Sequence, residues 1–174
     1  MKLKKDFYTR DALKIAPEIL GKFLVRRFDD GRIERRKITE VEVYGGEEDL
    51  ASHARFGKTK RNSVMYGPGG KLYVYLIYGM YYLGNIITGK DNDPQAVLIR
   101  GVEGLNGPGK VGKWLQLDKS FYGEDLTKSK RIWIETAQDG KGRTIIDKTE
   151  RIGVDYAGVW AKKKWRFVLK ATSD

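Results

Sequence analysis

The amino-acid sequence predicts a single α+β domain over residues 1–174, built on mostly antiparallel strands. The length fits one domain, and no Pro-, Gly- or Ser-rich linker interrupts the chain. A hydrophobic content of 40% is enough to form a buried core. Short alternating segments bounded by tight-turn signals are typical of antiparallel strands, and helical periodicity is confined to short stretches.

The N-terminal part is predicted to form a helical segment followed by a long β-hairpin. Residues 7–21 fit helical turns that end at a capping glycine, Gly21. Residues 23–28 and 32–44 are predicted as two strands joined by the Asp29-Asp30-Gly31 turn. Because side chains alternate along a strand, the second strand should present one face with Thr39, Val41 and Val43 and another with Ile38, Glu40, Glu42 and Tyr44.

The remaining strands are predicted in the second half, after a polar stretch that reaches Gly70. A strand pair, Leu72–Ile77 and residues 80–87, flanks Tyr78-Gly79, a two-residue turn with the glycine second that is typical of tight hairpins. The other predicted elements are strands at Gln95–Val102, residues 131–136 and residues 165–169, and a short helix near residues 111–117 that follows the glycine-rich residues 104–112.

Composition excludes several kinds of chemistry. The chain has no cysteine, which rules out disulfides, thiolate zinc sites and cysteine nucleophiles. The single histidine, His53, together with scattered carboxylates does not give the spacing of a zinc site. A serine-type triad would need His53 as its base, and the sequence has no nucleophile elbow. We therefore expect neither a metal nor another cofactor.

The charge of the chain indicates a polyanionic partner and not a membrane. A net charge of +11 favours phosphate binding, although a generically basic protein would show the same balance. Residues 72–89 contain no charge and approach the length of a membrane-spanning helix. Their five tyrosines, three glycines and alternating pattern instead favour paired strands, so we expect no membrane association.

One acidic segment interrupts this basic chain and is the first candidate for a catalytic group. Five carboxylates and no basic residue occur from Glu40 to Asp49. Glu42 and Tyr44 would lie on the same strand face, and a buried carboxylate beside a tyrosine can act as a general base. The alternative is an acidic strand edge in contact with water.

Aromatic and basic residues around the second hairpin are candidates for nucleic-acid binding. Five tyrosines lie within residues 73–82, and Tyr78 stands at the predicted turn tip, where a large ring could wedge between base pairs. Packing into the core is the alternative for the other tyrosines. Basic clusters at residues 55–61 and 162–166 fit phosphate contacts or, alternatively, solvated loops.

The glycine-rich segment matches two nucleotide-binding patterns only superficially. Gly107, Gly109 and Gly112 satisfy G-x-G-x-x-G, and residues 104–110 satisfy most of a P-loop. However, Val111 occupies the position of the magnesium-binding hydroxyl, and no parallel βαβ unit surrounds the segment. We expect the loop amides and Lys110 to hold a DNA phosphate at the start of a helix.

In combination, these motifs resemble the alkyladenine (3-methylpurine) DNA glycosylase family, over a match from about Leu20 to Leu169. No single motif would be sufficient, but together they are specific. The matching blocks are residues 39–45 with Glu48-Asp49 and Ala51-Ser52-His53, Arg61-Asn62 with Met65, residues 72–81 with Asn85, residues 96–100, residues 107–110, and residues 151–154 with Ala157-Gly158 and Trp160-Ala161.

The resemblance implies a curved antiparallel sheet with flanking helices and a protruding β-hairpin that inserts into DNA. It also implies a monomeric base-excision repair enzyme without a cofactor, acting on double-stranded DNA. Such an enzyme flips an alkylated or deaminated purine out of the duplex and hydrolyses its N-glycosidic bond, leaving an abasic site. We expect it in the cytoplasm with the nucleoid in a prokaryote, or in the nucleus of a eukaryote.

The matched motifs also carry implied roles for single residues. Glu42 corresponds to the general base, and Arg100 with the carbonyl of Val154 would hold the attacking water. The pocket for the flipped base would be formed by Tyr44, Ala51, His53, Tyr75, Asn85 and Leu98. The residues implied to contact DNA are Tyr78 in the gap left by the base, Met80 in the minor groove, and Arg61 and Lys110 on the backbone.

The sequence departs from the longer members of the family at one place, and from some members at a second, Gly84. Only residues 101–106 bridge the arginine strand and the Gly-Pro loop, where longer members carry a large insertion, and Gly84 replaces a bulkier residue. Both differences concern base selectivity and the grip on DNA. Two other classes stay open from the residues alone: a non-catalytic binder of damaged or bent DNA, and a nuclease, which would require a metal cluster.

Overall fold

One curved antiparallel sheet with a few short helices forms the fold in the computed structural model, which describes residues 1–137 and 143–173. The helices are α1 (Lys5–Tyr8), α2 (Ala12–Ile19) and α3 (Pro108–Trp114). The strands are β1 (Phe23–Arg27), β2 (Ile33–Gly45), β3 (Leu72–Ile77), β4 (Tyr81–Thr88), β5 (Gln95–Val102), β6 (Leu105–Asn106), β7 (Ile132–Glu135), β8 (Arg143–Thr149) and β9 (Arg166–Ser173). The predicted α+β class with a mostly antiparallel sheet is confirmed.

The long strand β2 organises the sheet, because two different strands share one of its edges. Residues 33–37 of β2 pair with β1, and residues 40–42 pair with β9 on that same edge. The opposite edge pairs with β5 along residues 38–45. The full order runs β3-β4-β5-β2-β1-β7, with β9 joining β2 and β8 joining β9. The middle of β2 is therefore enclosed by neighbours on both sides.

Two compensating β-bulges lie where β2 meets β5. The register jumps from Ile38 opposite Val102 to Glu40 opposite Gly101, which leaves Thr39 as an extra residue on β2. It then jumps to Val41 opposite Ile99, which leaves Arg100 as an extra residue on β5. Because a bulge redirects side chains, it is well suited to placing Arg100 near a site.

The first bulge overturns the predicted faces of β2. Ile38 is buried in the same core cluster as Val41 and Val43, whereas the prediction placed it on the face of Glu42 and Tyr44. Strict alternation fails because Thr39 adds a residue and shifts the facing by one position. Helix α2 covers this core face with residues that include Ile15 and Ile19.

The other elements differ from the predictions mainly at their boundaries. The helical segment of residues 7–21 is two short helices, α1 and α2, and α3 begins at Pro108 instead of near residue 111. Proline favours the first turn of a helix, since its fixed φ suits that position and its missing N–H is not needed there. Strand β8 and the 3₁₀ segment Asp155–Lys162 were not predicted, and the polar stretch before Gly70 contains the 3₁₀ turns His53–Phe56 and Ser63–Tyr66.

The uncharged residues 72–89 lie largely in the paired strands β3 and β4, as predicted. In the part of the chain that the structure describes, no helix is long and apolar enough to cross a membrane.

Candidate active site

A cavity of about 510 Å³ brings most of the predicted site residues together. It lies between the β3–β4 hairpin, the 3₁₀ turn His53–Phe56, the loop before α3 and residues 152–156. The predicted residues that line it are Tyr44, Ala51, His53, Tyr75, Tyr78, Asn85, Leu98, Arg100, Lys110 and Val154. Residues from seven separate stretches of sequence thus meet around one space.

Aromatic rings form one wall of this cavity. The ring centroids of His53 and Tyr75 are 4.5 Å apart, and those of Tyr73 and Tyr75 are 5.3 Å apart. His53 Nδ1 shares a hydrogen bond of 2.9 Å with the hydroxyl of Tyr73. Burial lowers the pKa of His53, assisted by Arg61 and Arg55, and burial raises the pKa of Tyr75 to about 12. These rings are therefore uncharged near neutral pH.

Asn85 places a buried amide in the floor of the cavity. It lies on β4 opposite Leu98 of β5, and its side-chain amide donates a hydrogen bond of 3.3 Å to the carbonyl of Tyr73. A Cβ at the preceding Gly84 would stand 3.2 Å from the side chain of Leu117. Glycine at this position therefore lets Leu117, which follows α3 in the chain, pack closely behind the floor.

Glu42 is completely buried behind the cavity wall. One carboxylate oxygen, Oε1, accepts a hydrogen bond of 2.7 Å from the backbone N–H of Ile152, and Oε2 accepts one of 3.0 Å from the hydroxyl of Tyr44. Glu42 itself does not border the cavity, but Tyr44, Arg100 and Ile152 do. Burial raises the pKa of Glu42 above its ordinary value, although Arg100 and both hydrogen bonds act in the opposite direction. A carboxylate with a raised pKa is a stronger base.

A second buried carboxylate, Glu40, holds the arginine next to Glu42. Arg100 Nε lies 3.0 Å from Oε1 of Glu40 and 3.6 Å from Oε1 of Glu42. Arg166 Nε lies 2.6 Å from the same oxygen of Glu40. Two arginines therefore face two carboxylates here. The prediction placed Arg166 in a basic cluster for phosphate binding, but the structure directs it into this ion-pair network.

A third buried carboxylate, Asp49, forms a bidentate ion pair with Arg151. The two distances are 2.5 and 2.9 Å, and neither side chain is exposed. Sequence analysis missed both as partners, although each lies in a matched block. The alternative of a water-exposed acidic strand edge is wrong for Glu40, Glu42 and Asp49, which are all buried. Of the five carboxylates in this segment, only Glu47 and Glu48 are exposed.

The hairpin tip, residues 77–80, projects a large ring into solvent. Tyr78 is 85% exposed and has a φ of 52°, which is uncommon for a residue other than glycine. The predicted two-residue turn is present, since the N–H of Met80 bonds the carbonyl of Ile77. Tyr78 borders the cavity, whereas Met80 borders a neighbouring cleft beside Gln116.

Lys110 and Arg61, the two residues predicted to contact the DNA backbone, differ in their position relative to the cavity. Lys110 lies in α3 and lines the cavity, next to Gly109, whose missing side chain lets the helix start approach the ring of Tyr81. Arg61 lies outside the lining, with its guanidinium carbon 5.9 Å from the centroid of the Tyr75 ring. Among the described residues, no group of three or more histidine, aspartate or glutamate side chains is arranged to hold a metal ion.

An aromatic-walled cavity, a buried carboxylate behind it and an exposed ring at its mouth are the features expected of a protein that receives a flat ring system. Comparison with known proteins agrees. The family model for methylpurine-DNA glycosylase matches residues 6–106 and 103–173. The two segments meet at the shortened bridge noted in the sequence, which the structure forms as a tight β5–β6 pair.

Several relatives carry the provisional name 3-methyladenine DNA glycosylase. A protein of Anaeromyxobacter sp. (strain Fw109-5) is 42% identical, covering 99% of this chain and 91% of its own length. One of Legionella pneumophila (strain Corby) is 44% identical, covering 97% and 94%. One of Methanocella arvoryzae is 42% identical, covering 97% and 92%. The chain belongs to the methylpurine-DNA glycosylase family, so the predicted family is confirmed and the protein is a hydrolase of N-glycosyl bonds in DNA.

Proposed function

We propose that the protein flips alkylated or deaminated purines out of double-stranded DNA and hydrolyses their N-glycosidic bond with a water activated by Glu42. The product is an abasic site, and the backbone is left intact. The observation that carries this proposal is a buried, hydrogen-bonded Glu42 directly behind an aromatic-walled cavity. The protein would act as a monomer, without a cofactor, in the cytoplasm on the DNA of the nucleoid.

Recognition begins with extrusion of the base, which costs a few kcal/mol and costs least for damaged or mismatched bases. The flipped purine would enter between Tyr44, His53 and Tyr75, with Ala51 and Leu98 filling the apolar sides. An alkylated purine is electron-poor or cationic, and ring faces attract such a base. Asn85 would read its polar edge through a side chain that is already fixed on the carbonyl of Tyr73.

Hydrolysis requires a water between Glu42 and the sugar. In the proposal, the entering nucleotide displaces the Tyr44 hydroxyl from Oε2, and the water takes over that hydrogen bond. Arg100 and the carbonyl of Val154 hold the same water, and both line the cavity. The water oxygen bonds to C1′ while the C1′–N bond breaks, its proton passes to Glu42, and the electron pair leaves with the base. Positive charge that builds on the sugar is stabilised by the Glu42 carboxylate.

DNA contacts would follow from the exposed residues around the mouth. Tyr78 would occupy the gap in the duplex and Met80 the minor groove, because both are exposed at the hairpin tip. Arg61 and Lys110 would contact the backbone. Phosphate contacts of this kind position a protein on DNA without reading its sequence.

A panel of duplexes that each carry one lesion tests the proposal. The lesions are 3-methyladenine, 7-methylguanine, hypoxanthine and an etheno adduct, and the readout is strand cleavage that requires alkali. We expect alkali-labile sites at one or more of these lesions and none in undamaged DNA. A protein that shifts the DNA without producing such sites would be a binder only, and breaks without alkali would indicate a nuclease.

A further inference from the structure

The buried ion pair between Asp49 and Arg151 has no part in the mechanism described above. Its arginine is held at four points: both carboxylate oxygens of Asp49, the carbonyl of Val43 at 2.9 Å and the carbonyl of Trp160 at 3.1 Å. The guanidinium also lies 5.0 Å from the centroid of the Tyr44 ring. An arginine with so many buried contacts fixes the backbone segments that it joins.

Those two segments carry the donor and the acceptor of one hydrogen bond, from Ile152 to Glu42. Val43 follows Glu42 on β2, so the contact to its carbonyl holds the strand that carries the carboxylate. Ile152 follows Arg151, and its N–H donates to Oε1 of Glu42 at 2.7 Å. Val154, whose carbonyl is proposed to hold the water, lies two residues further on, after Gly153 with a φ of 74°. One guanidinium therefore connects the base to the loop that faces it.

We propose that Arg151 and Asp49 are positioning residues, which keep the N–H of Ile152 on Glu42 and so set the strength and place of the catalytic base. This inference rests on the proposed function, because it assumes that Glu42 is the base. Asp49 contributes by keeping Arg151 in place, and it accepts two further hydrogen bonds, from the N–H groups of Gly45 at 2.9 Å and Ala51 at 3.0 Å.

The expected consequence is a shift in pH dependence with a definite sign. An N–H that bonds to a carboxylate stabilises its charged form, so loss of the Ile152 bond should raise the pKa of Glu42. Glu42 must be ionised to accept the water's proton, so the acid limb of the rate profile should move to higher pH. The other groups that face Glu42 are Glu40, Arg100, Tyr44 and Tyr75, with Arg166 acting through Glu40.

The alternative is a purely structural pair. A buried arginine and a buried aspartate compensate each other's charge, and breaking such a pair destabilises a protein whatever its role. In that case a variant would lower the melting temperature and leave the pH dependence of excision unchanged. The two interpretations therefore differ in a measurable quantity other than stability.

Arg151→Lys tests the proposal because it keeps the charge and removes the bidentate geometry. Single-turnover excision by the full chain is measured from pH 5 to 9 on the lesion that the panel identifies as the best substrate. We expect the acid limb to move upward by about one pH unit, the size expected for a lost hydrogen bond to a charged group. Affinity for the lesion duplex should stay within about twofold, since no DNA contact is removed.

Arg131→Lys is the matched control. Arg131 pairs with Glu124 at 2.7 Å and with the carbonyl of Ser120, on residues that do not line the cavity. This variant should melt at a lower temperature and keep the wild-type acid limb. If Arg151→Lys does not fold, Asp49→Glu takes its place. This variant keeps the charge and displaces the carboxylate that holds Arg151 by one methylene.

A folded Arg151→Lys or Asp49→Glu protein with an unmoved acid limb would overturn the proposal, even if its melting temperature falls. The base itself is tested separately with Glu42→Gln. If Glu42→Gln still cleaves, the proposed function fails. If Glu42→Gln is inactive and the limb of Arg151→Lys is unmoved, only the positioning role fails.

Discussion

Two regions flank the cavity: a polar cluster that lies behind its wall, and the hairpin tip at its mouth. The polar cluster comprises the three carboxylates Glu40, Glu42 and Asp49 and the three arginines Arg100, Arg151 and Arg166. Its carboxylates are all buried, and each contacts at least one of the arginines. The tip, by contrast, carries Tyr78 and Met80 with 85% and 66% of their surfaces exposed.

This difference indicates that the two regions act at different stages of the proposed reaction. The ion pairs of the polar cluster are made within the protein itself, so in the proposed mechanism only the hydrogen bond from Tyr44 to Glu42 is exchanged when a nucleotide enters. The tip would gain most of its packing from a partner, because the Tyr78 ring is largely exposed in the protein itself. Damage to the polar cluster should therefore change chemistry, and damage to the tip should change access to the base.

The largest expected effect comes from Glu42→Gln. Glutamine keeps the shape but cannot accept the proton of the water, so excision should fall by about 10²- to 10⁴-fold. Single-turnover excision measures the rate, and a gel-shift measures binding of the same duplex. Binding should survive, because Glu42 does not border the cavity. Near-normal cleavage by this variant would remove Glu42 from the role of the base.

The second largest effect concerns salt and the basic surface. With a net charge of +11 and about six phosphate contacts, the slope of log K against log salt should be about −5. Arg166 should not contribute, since it is paired with Glu40. Affinity titrations between about 50 and 200 mM salt provide the measurement. The binding constant should fall about a thousandfold over this range. A slope near zero would show that the basic residues do not meet DNA.

A smaller effect is expected for the tip. Tyr78→Ser should lower excision from a paired duplex by about ten- to a hundredfold, because stacking is worth roughly 1–3 kcal/mol per base. The loss should be smaller on a bulged lesion, where little work of flipping remains. Single-turnover rates on both substrates, together with melting curves, separate this role from simple packing. Equal losses on both substrates with a lower melting temperature would contradict it.

The last prediction is that treatment with borohydride or EDTA reveals no covalent intermediate and no metal requirement. The proposed nucleophile is water and not a lysine amine, so borohydride should trap no covalent complex with DNA. We also expect EDTA to leave excision unchanged, because the mechanism assigns no step to a metal. Excision gels with and without each reagent provide the measurement. A trapped complex would instead indicate a lysine nucleophile, and loss of activity on chelation would indicate a metal.

The two regions also differ in how far the sequence could predict them. The hairpin, its Tyr78-Gly79 turn and the strand with Glu42 depend on local patterns, so they were predicted almost to the residue. The ion pair between Asp49 and Arg151 was not predicted, because no local sequence pattern indicates a partner that lies 102 positions away. The face of Ile38 was also missed, since a bulge arises from the pairing of two strands and not from one strand's alternation.

The hydrogen bonds of the polar cluster span most of the chain. Ile152 lies 110 residues after Glu42, and Arg166 lies 126 residues after Glu40. Contacts of such separation close large loops, which makes them slow and late to form during folding. A chain that has emerged only as far as β5 already contains Glu42, Tyr44 and Arg100, but it still lacks the N–H of Ile152 that bonds to the carboxylate. In the proposed mechanism, the site for the base and its water is therefore complete only after residues 151–154 have been made.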